Sequence, residues 1–247
     1  MNFTTHNSFA IVERKDLAPT QMEEMFQLLA NHFEGVTWIQ FTLDLAEKNW
    51  VILLRRGSRL VGFSTLLVYE SFFEQEPVTV VYSGDTIVAP EAWGSSALAR
   101  GWITAVNRLR ERYPRGKYYW LLLTSGFRTY RFLPVFWQEF FPRHDAVTPS
   151  NIRRLRDHLA AQRFGAKYDA ASGIVRFEQP QRLQGALKNV PVERTFDPHV
   201  AFFLAHNPGH PQGDEMVCLT ELRVGNLTAA GRRMATPQLC ESGRDHR

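Results

Sequence analysis

Cysteine is scarce in this chain of 247 residues, which has two, Cys218 and Cys240. That number excludes a disulfide framework, and their spacing fits no metal site, so we expect reduced thiols, no metal and a cytoplasmic protein. Apolar runs stay well short of the roughly 18 residues that a membrane span needs, and residues 1–13 lack the apolar stretch of a secretory signal. We therefore expect no membrane span. The sequence also has no internal repeat and no low-complexity tract.

Charge is mild overall, with a formal net charge of +4, but basic residues are concentrated in the middle third. They are Arg100, Arg108, Arg110, Arg112, Arg115, Lys117, Arg128, Arg131, Arg153, Arg154 and Arg156. Such a distribution is typical either of solvated helix faces or of a surface that docks an acidic partner. Aromatic residues do not alternate with these charges as they do in nucleic-acid-binding motifs, so no nucleic acid is expected.

Hydrophobic periodicity predicts the element order β–α–α–β–β–β–α–β–α over the first 141 residues. Strands are expected at 9–17, 50–55, 59–69, 78–88 and 118–124, and helices from 20 to 33, at 38–48, from 95 and at 130–141. Thr20 and Glu23 have the spacing of a capping box for the first helix. Residues 56–58 predict a hairpin turn.

The stretch from Val78 to Val106 is the most informative part of the chain. It predicts a strand that ends at Pro90, a loop of small residues, and an amphipathic helix capped by Ser95 or Ser96. Such a loop presents backbone N–H groups at the positive end of a helix dipole. The stretch therefore predicts a phosphate-binding site.

The element order, the hairpin strand at 59–63 and the segment Val88–Glu91 before the loop resemble the GCN5-related N-acetyltransferase (GNAT) superfamily over about residues 8–142. The resemblance implies an α/β (α+β) fold with a mixed, mostly antiparallel twisted sheet flanked by helices. In that family the strand before the loop splays from its neighbour and binds the pantetheine arm through its backbone. The loop and the helix N-terminus hold the coenzyme A pyrophosphate.

The resemblance assigns donor binding to seven residues: Ile87, Val88, Trp93, Gly94, Ser95, Ser96 and Ala97. The loop departs from the family pattern Gln/Arg-x-x-Gly-x-Gly/Ala. Trp93 stands at the Arg position, Gly94 is retained, and Ser96 and Leu98 replace the later small residues.

Catalytic residues are assigned by position. The resemblance places a tyrosine after the fifth strand as the proton donor for the leaving thiolate, and Tyr130 has that spacing; the alternative is an aromatic residue of the core. Asp85 lies on the central strand at the depth of the family's general base, unless residues 83–85 form a β-bulge whose only role is structural. His32 is a further candidate base, or else a cap of the first helix, and Glu70 and Glu74 compete.

The remaining sequence predicts a helical insertion at about 148–164, then a hairpin of segments 166–169 and 173–177 as the last two strands of the sheet. Residues 206–215 are expected to form a turn-rich loop, residues 216–224 an edge strand, and residues 231–247 a disordered tail. We divide the chain into an acyltransferase-like domain, 1–180, and a C-terminal extension, 181–247.

The sequence as a whole predicts an acyltransferase that moves an acyl group from acyl-CoA to an amine-bearing small molecule or peptide. The altered loop, the basic middle third and a cluster of phenylalanines leave two alternatives open. One is a longer acyl chain carried on the phosphopantetheine of an acidic acyl carrier protein (ACP). The other is a non-catalytic GNAT-like module that binds a ligand or a partner.

Overall fold

The computed structural model describes residues 7–235. The helices are α1 (Pro19–Ala30), α2 (Trp38–Ala46), α3 (Ala97–Arg112), α4 (Phe127–Tyr130), α5 (Phe132–Phe136), α6 (Ser150–Phe164), α7 (Pro198–His206) and α8 (Ala229–Ala235). The strands are β1 (Asn7–Glu13), β2 (Phe33–Glu34), β3 (Trp50–Arg56), β4 (Arg59–Phe73), β5 (Glu76–Val88), β6 (Lys117–Thr124), β7 (Tyr168–Asp169), β8 (Ile174–Val175), β9 (Arg182–Leu183) and β10 (Glu215–Glu221).

Eight strands form one sheet in the order β1-β3-β4-β5-β6-β10-β8-β7, and β2 pairs separately with β9. All neighbours in the large sheet are antiparallel except β5 and β6, which are parallel. Parallel neighbours need a crossover, and α3 supplies it. This arrangement confirms the mixed, mostly antiparallel sheet flanked by helices that the sequence predicts.

Apolar side chains cover both faces of the sheet. On one face α3, α4, α5 and α7 pack against a core that includes Ile52, Val81 and Trp120. On the other face α1 and α2 cover Val51 and Leu53. Helix α6 covers the part of that second face formed by β5, β6 and β10.

Strand β5 contains a β-bulge, the alternative considered for residues 83–85 from the sequence. Ser64 of β4 pairs with Thr86, but Leu66 pairs with Ser83, so β5 has one residue more than β4 between these pairs. The extra residue falls at Gly84 and Asp85. A bulge reverses which face the following side chains occupy.

Several predicted elements differ in the structure. Helix α1 begins at Pro19, and its capping contact runs from the Ala18 N–H to Gln21 Oε1 at 2.9 Å, so the capping box at Thr20 and Glu23 is wrong. The helix expected over 130–141 is two short helices that end by Phe136. Beyond them the backbone of Phe141 bonds to Leu219 of β10 instead of continuing the helix.

The C-terminal region lies deeper in the sheet than expected. The segment predicted as an edge strand at 216–224 is β10, an interior strand between β6 and β8, so that prediction is wrong. The hairpin β7–β8 lies at the sheet edge beyond it. Helix α8 includes residues 231–235 of the predicted disordered tail, while residues 236–247, with Cys240, lie outside the described residues. The division at residue 180 stays a prediction, although 215–221 belongs to the same sheet.

Candidate active site

The parallel strands β5 and β6 separate at one end. Their pairing runs from Val78 and Lys117 as far as Ser83 and Leu122. Beyond these residues, the last part of β5 and the end of β6 line a cavity of about 1010 Å³. The structure therefore contains the splay that the resemblance to GNAT proteins implies, and the splay opens into this cavity.

One end of the cavity is acidic, and we call it the carboxyl end. Asp44 of α2, Asp85 of β5 and Glu215 of β10 line it together with Lys48 and Tyr82. The Lys48 ammonium donates to the Asp44 carbonyl oxygen at 2.9 Å and lies 5.4 Å from the centroid of the Tyr82 ring. Within the described residues, Asp44, Asp85 and Glu215 form no salt bridge.

Burial changes the proton affinity of these groups. Removal from water raises the pKa of Asp85 to about 6, with the Lys48 charge opposing the shift and the Asp44 charge adding to it. The pKa of Glu215 rises to about 8, first through burial and then through the charges of Asp85 and Asp44. Burial also lowers the pKa of Lys48, against the attraction of Asp85. Glu215 is therefore the weaker acid of the two, and Asp85 loses its proton first as the pH rises.

The opposite end of the cavity is formed by Trp93, Ser95, Ser96, Arg128 and Arg194, and we call it the loop end. Ser96 precedes α3 and makes no side-chain capping bond, while Ser95 Oγ accepts from the first N–H of the helix, that of Ala97. Burial and the nearby Arg194 charge lower the pKa of Arg128. Two guanidinium groups thus lie near each other beside a helix N-terminus.

Trp93 bonds to the strand that the resemblance assigns to donor binding. Its indole Nε1 donates to the Val88 carbonyl oxygen at 2.8 Å. The Arg128 guanidinium lies 4.2 Å from the centroid of the Trp93 ring and donates to the Leu187 carbonyl oxygen at 3.3 Å. These contacts connect the loop to β5 and to the C-terminal region.

Part of the cavity wall is apolar. Leu98, Trp102, Trp120, Phe132 and Phe136 line it. The rings of Trp102 and Trp120 lie 4.1 Å apart, and Phe132 and Phe136 lie 4.7 Å apart, between centroids. Part of the phenylalanine cluster noted in the sequence therefore lines the cavity, whereas Phe140 is buried in the core.

Tyr130 does not reach the cavity. Its side chain is fully buried, stacks on Phe202 and packs against Phe203, and its hydroxyl donates to the Pro142 carbonyl oxygen at 3.1 Å. Burial raises its pKa. The spacing along the chain is as the resemblance requires, but α4 directs this residue into the core, which corrects its assignment as the proton donor.

The other candidate bases also lie away from the cavity. His32 does not line it; its Nδ1 lies 2.8 Å from the Leu28 carbonyl oxygen at the end of α1, as the helix-cap alternative describes. Glu70 pairs with Arg115, and Glu74 pairs with Arg154 beside the β4–β5 turn. Of these acidic and histidine candidates, the structure places Asp85 alone at the cavity.

Five of the seven residues assigned to donor binding line the cavity: Ile87, Val88, Trp93, Ser95 and Ser96. Gly94 and Ala97 do not. Gly94 is exposed, and a Cβ added there would meet no atom within 4 Å. The Ala97 N–H donates to Ser95 Oγ at 3.1 Å.

Glu215 and Lys48 are the site residues that sequence reasoning missed. Glu215 stands at the boundary between a turn-rich loop and a buried apolar strand, which is the one sequence signal it carries. Its role depends on the position of β10 beside β6, and periodicity does not reveal strand order. Lys48 follows α2 and is buried, an unusual position for a lysine.

Intrachain partners occupy much of the basic middle third. The pairs are Arg112 with Glu13, Arg115 with Glu70, Arg131 with Asp197, Arg154 with Glu74 and Arg156 with Asp157.

In the part of the chain that the structure describes, no helix is both long and apolar enough to cross a membrane. Within residues 7–235 no three metal-ligating side chains converge.

The sheet order, the bulge in β5 and the splay together give the chain a GNAT-like fold. No protein-family model matches the sequence, and no curated protein matches it significantly. Solved structures that the chain partly resembles include a probable N-acyltransferase of unknown function from Enterococcus faecalis, with 12% identity over 87% of this chain and 65% of that chain and a TM-score of 0.43. Escherichia coli ElaA has 15% identity over 59% of this chain and 94% of its own, with a TM-score of 0.38. A Pseudomonas aeruginosa acyl-CoA N-acyltransferase has 15% identity over 49% and 80%, with a TM-score of 0.35.

Proposed function

We propose that the protein is a GNAT-type N-acyltransferase that moves an acyl group from a coenzyme A thioester to an amine. The observation that carries this proposal is the single cavity at the splay of β5 and β6, with the carboxylate of Asp85 at one end and an anion-attracting helix terminus at the other. Acyl transfer to an amine needs a base for the amine and a site for the donor's phosphates, in one connected space.

The loop end suits the pyrophosphate of the donor. The N-terminus of α3 offers backbone N–H groups and the positive end of its dipole. Arg128 and Arg194 add two positive charges there. The family's loop pattern has small residues where this chain has Ser96 and Leu98. In this chain the helix terminus and the two arginines bind the pyrophosphate instead.

The carboxyl end suits the amine acceptor. An amine arrives protonated at neutral pH, and a carboxylate with a pKa of about 6 both attracts it and accepts its proton. The nitrogen lone pair then forms a C–N bond with the thioester carbonyl carbon, and the C–S bond breaks with its electron pair going to sulfur. The second proton of the nitrogen goes to the departing thiolate, which becomes the free thiol, and Asp85 releases the first proton to solvent.

The apolar wall favours an acyl group longer than acetyl. A chain lying against Trp102, Trp120 and Phe136 would gain roughly 0.8 kcal/mol for each buried CH₂. A medium-chain donor such as octanoyl-CoA should therefore bind more tightly than acetyl-CoA. A carrier-protein donor would present the same phosphopantetheine arm, but it lacks the 3′-phosphate and diphosphate of free coenzyme A that the loop end would bind.

Asp85→Asn tests the proposal directly. Release of free thiol is followed with acetyl-CoA, octanoyl-CoA and an octanoyl-loaded carrier protein against a panel of primary amines. We expect the substitution to lower kcat/KM about 10²–10⁴-fold, the usual contribution of a positioned base, while coenzyme A binding by calorimetry stays close to wild type.

Glu178→Gln is the matched control, because Glu178 is an exposed carboxylate of the same cavity. An Asp85→Asn protein as active as Glu178→Gln would contradict the role of Asp85. Coenzyme A binding without transfer to any amine would favour the non-catalytic module instead.

A further inference from the structure

Glu215 lies at the level of the sheet where β6 has ended. Met216 pairs with Thr124, the last residue of β6, so Glu215 lies one position beyond that strand. Strand β5 has by then separated from β6, since their pairing ends at Ser83 and Leu122. Beyond Thr124 no strand stands between the end of β5 and the start of β10.

Asp85 occupies the same face of the sheet as Glu215. Val217, two residues after Glu215, packs in the cluster under α6, together with Tyr82. Without a bulge, Asp85 would lie on the opposite face from Tyr82, because their positions differ by three. The extra residue at Gly84–Asp85 reverses the alternation, so Asp85 and Ile87 lie on the same face as Tyr82. Ile87 accordingly packs in the cluster under α1 and α2, which cover that face.

Other charged groups surround the two carboxyls from each packed element. Asp44 and Lys48 face them from α2 and its end, and Tyr82 faces them from β5. Arg163 of α6 lies 4.9 Å from the Tyr82 ring centroid and pairs with Glu47. Of Lys48 and Arg163, only Arg163 forms a salt bridge within the described residues.

We infer that Glu215 is a positioning residue that acts through Asp85, the two carboxyls holding a single proton between them when the protonated amine binds. This inference rests on the proposed function. Asp85 carries the negative charge and accepts the proton: an N–H bond of the ammonium breaks, its electron pair stays on nitrogen, and an O–H bond forms on Asp85. Glu215 keeps its own proton throughout, so the pair has a charge of −1 before the transfer and is neutral after it.

The protonation of Glu215 decides how firmly the site holds an ammonium ion. With a second negative charge the site would bind the cationic amine more tightly and also oppose loss of its proton. KM and kcat would then fall together. A neutral Glu215 avoids that state at neutral pH and, unlike an apolar side chain, can still donate a hydrogen bond toward Asp85.

The coupling is tested first without catalysis, by ¹³C NMR titration of side-chain carboxyls in the wild type, Asp85→Asn and Glu178→Gln. Loss of the Asp85 charge should lower the titration midpoint of Glu215 by about one pH unit, whereas Glu178→Gln should leave it in place. An unchanged Glu215 midpoint in Asp85→Asn would show that the carboxyls do not share a site and would overturn the inference.

Steady-state kinetics from pH 6 to 9.5, with the amine and thioester that the wild type turns over best, give the second test. Glu215→Ala should lower kcat about tenfold at pH 7, and Glu215→Gln, which keeps a neutral donor, should restore most of that loss. Above pH 8, both kcat and KM of the wild type should be lower than those of Glu215→Gln. The difference in kcat should be about tenfold if the second negative charge raises the pKa of the bound amine by one unit.

The outcomes separate the two proposals. Parallel pH profiles for the wild type and Glu215→Gln, in a protein that transfers acyl groups, would overturn the role of Glu215 and leave the proposed function standing. No acyl transfer by the wild type would overturn the proposed function and this role with it. A stability measurement on each variant confirms that the folded protein is compared throughout.

Discussion

The hydroxyl of Tyr130 bonds to the carbonyl oxygen of Pro142 inside the core, and Tyr130→Phe therefore separates a packing role from a catalytic one. Phe keeps the ring and removes one hydrogen bond, so we expect the free energy of unfolding to fall by about 1 kcal/mol. Turnover should stay within about twofold of wild type. Urea denaturation and thiol release measure the two effects, and a loss of turnover comparable to that of Asp85→Asn would restore Tyr130 as the proton donor.

Two residues show what spacing along the chain could and could not predict. The depth of Asp85 along its strand is a local property and matches its position at the cavity, but the face that it occupies depends on the bulge in β5. The direction of Tyr130 depends on α4 ending after four residues and on α7 packing against it, and both are tertiary effects. Glu215 could not be predicted for the same reason, since its place follows from the insertion of β10 between β6 and β8.

At the scale of elements, the strands and long helices were predictable and the order of the last strands was not. Alternation located β3, β4, β5 and β6 within a few residues, because each buries a continuous apolar stripe. The segment at 130–141 was mistaken for one helix because its aromatic residues have helical spacing. Its backbone instead bonds to β10 through Phe141 and Leu219, a contact between residues far apart in sequence.

The indole of Trp93 occupies a backbone acceptor at the end of β5, and Trp93→Phe tests whether the donor uses that acceptor. The substitution keeps an aromatic ring under Arg128 but frees the Val88 carbonyl oxygen from the indole N–H. If the donor's arm bonds to this carbonyl, loss of the competitor should tighten coenzyme A binding by about fivefold, since a hydrogen bond contributes about 1 kcal/mol. Calorimetry measures the affinity, with Trp38→Phe on α2 as the control. Weaker binding would show that the indole itself contacts the donor.

At the scale of the whole molecule, the fold encloses carboxyls that an unfolded chain would expose, and stability should depend on pH accordingly. Glu215 has a pKa of about 8 in the fold and an ordinary value of 4.5. The folded chain therefore binds this proton more tightly than the unfolded chain. Its contribution to stability is fully present below pH 4.5 and is lost as the pH rises through 8, so that the free energy of unfolding declines across this window.

Glu215→Gln removes this titration, because an amide does not ionise. We expect the wild type to lose stability relative to the variant between pH 5 and pH 8, by an amount on the order of a few kcal/mol. Asp85 adds a smaller decline in the same direction between its ordinary pKa of 3.8 and about 6, and it does so equally in both proteins. Urea denaturation at the two pH values, with the exposed Glu178→Gln as control, measures the difference. Equal pH dependence in the wild type and Glu215→Gln would mean that the Glu215 carboxyl stays solvated in the folded protein, and that it does not retain its proton at neutral pH.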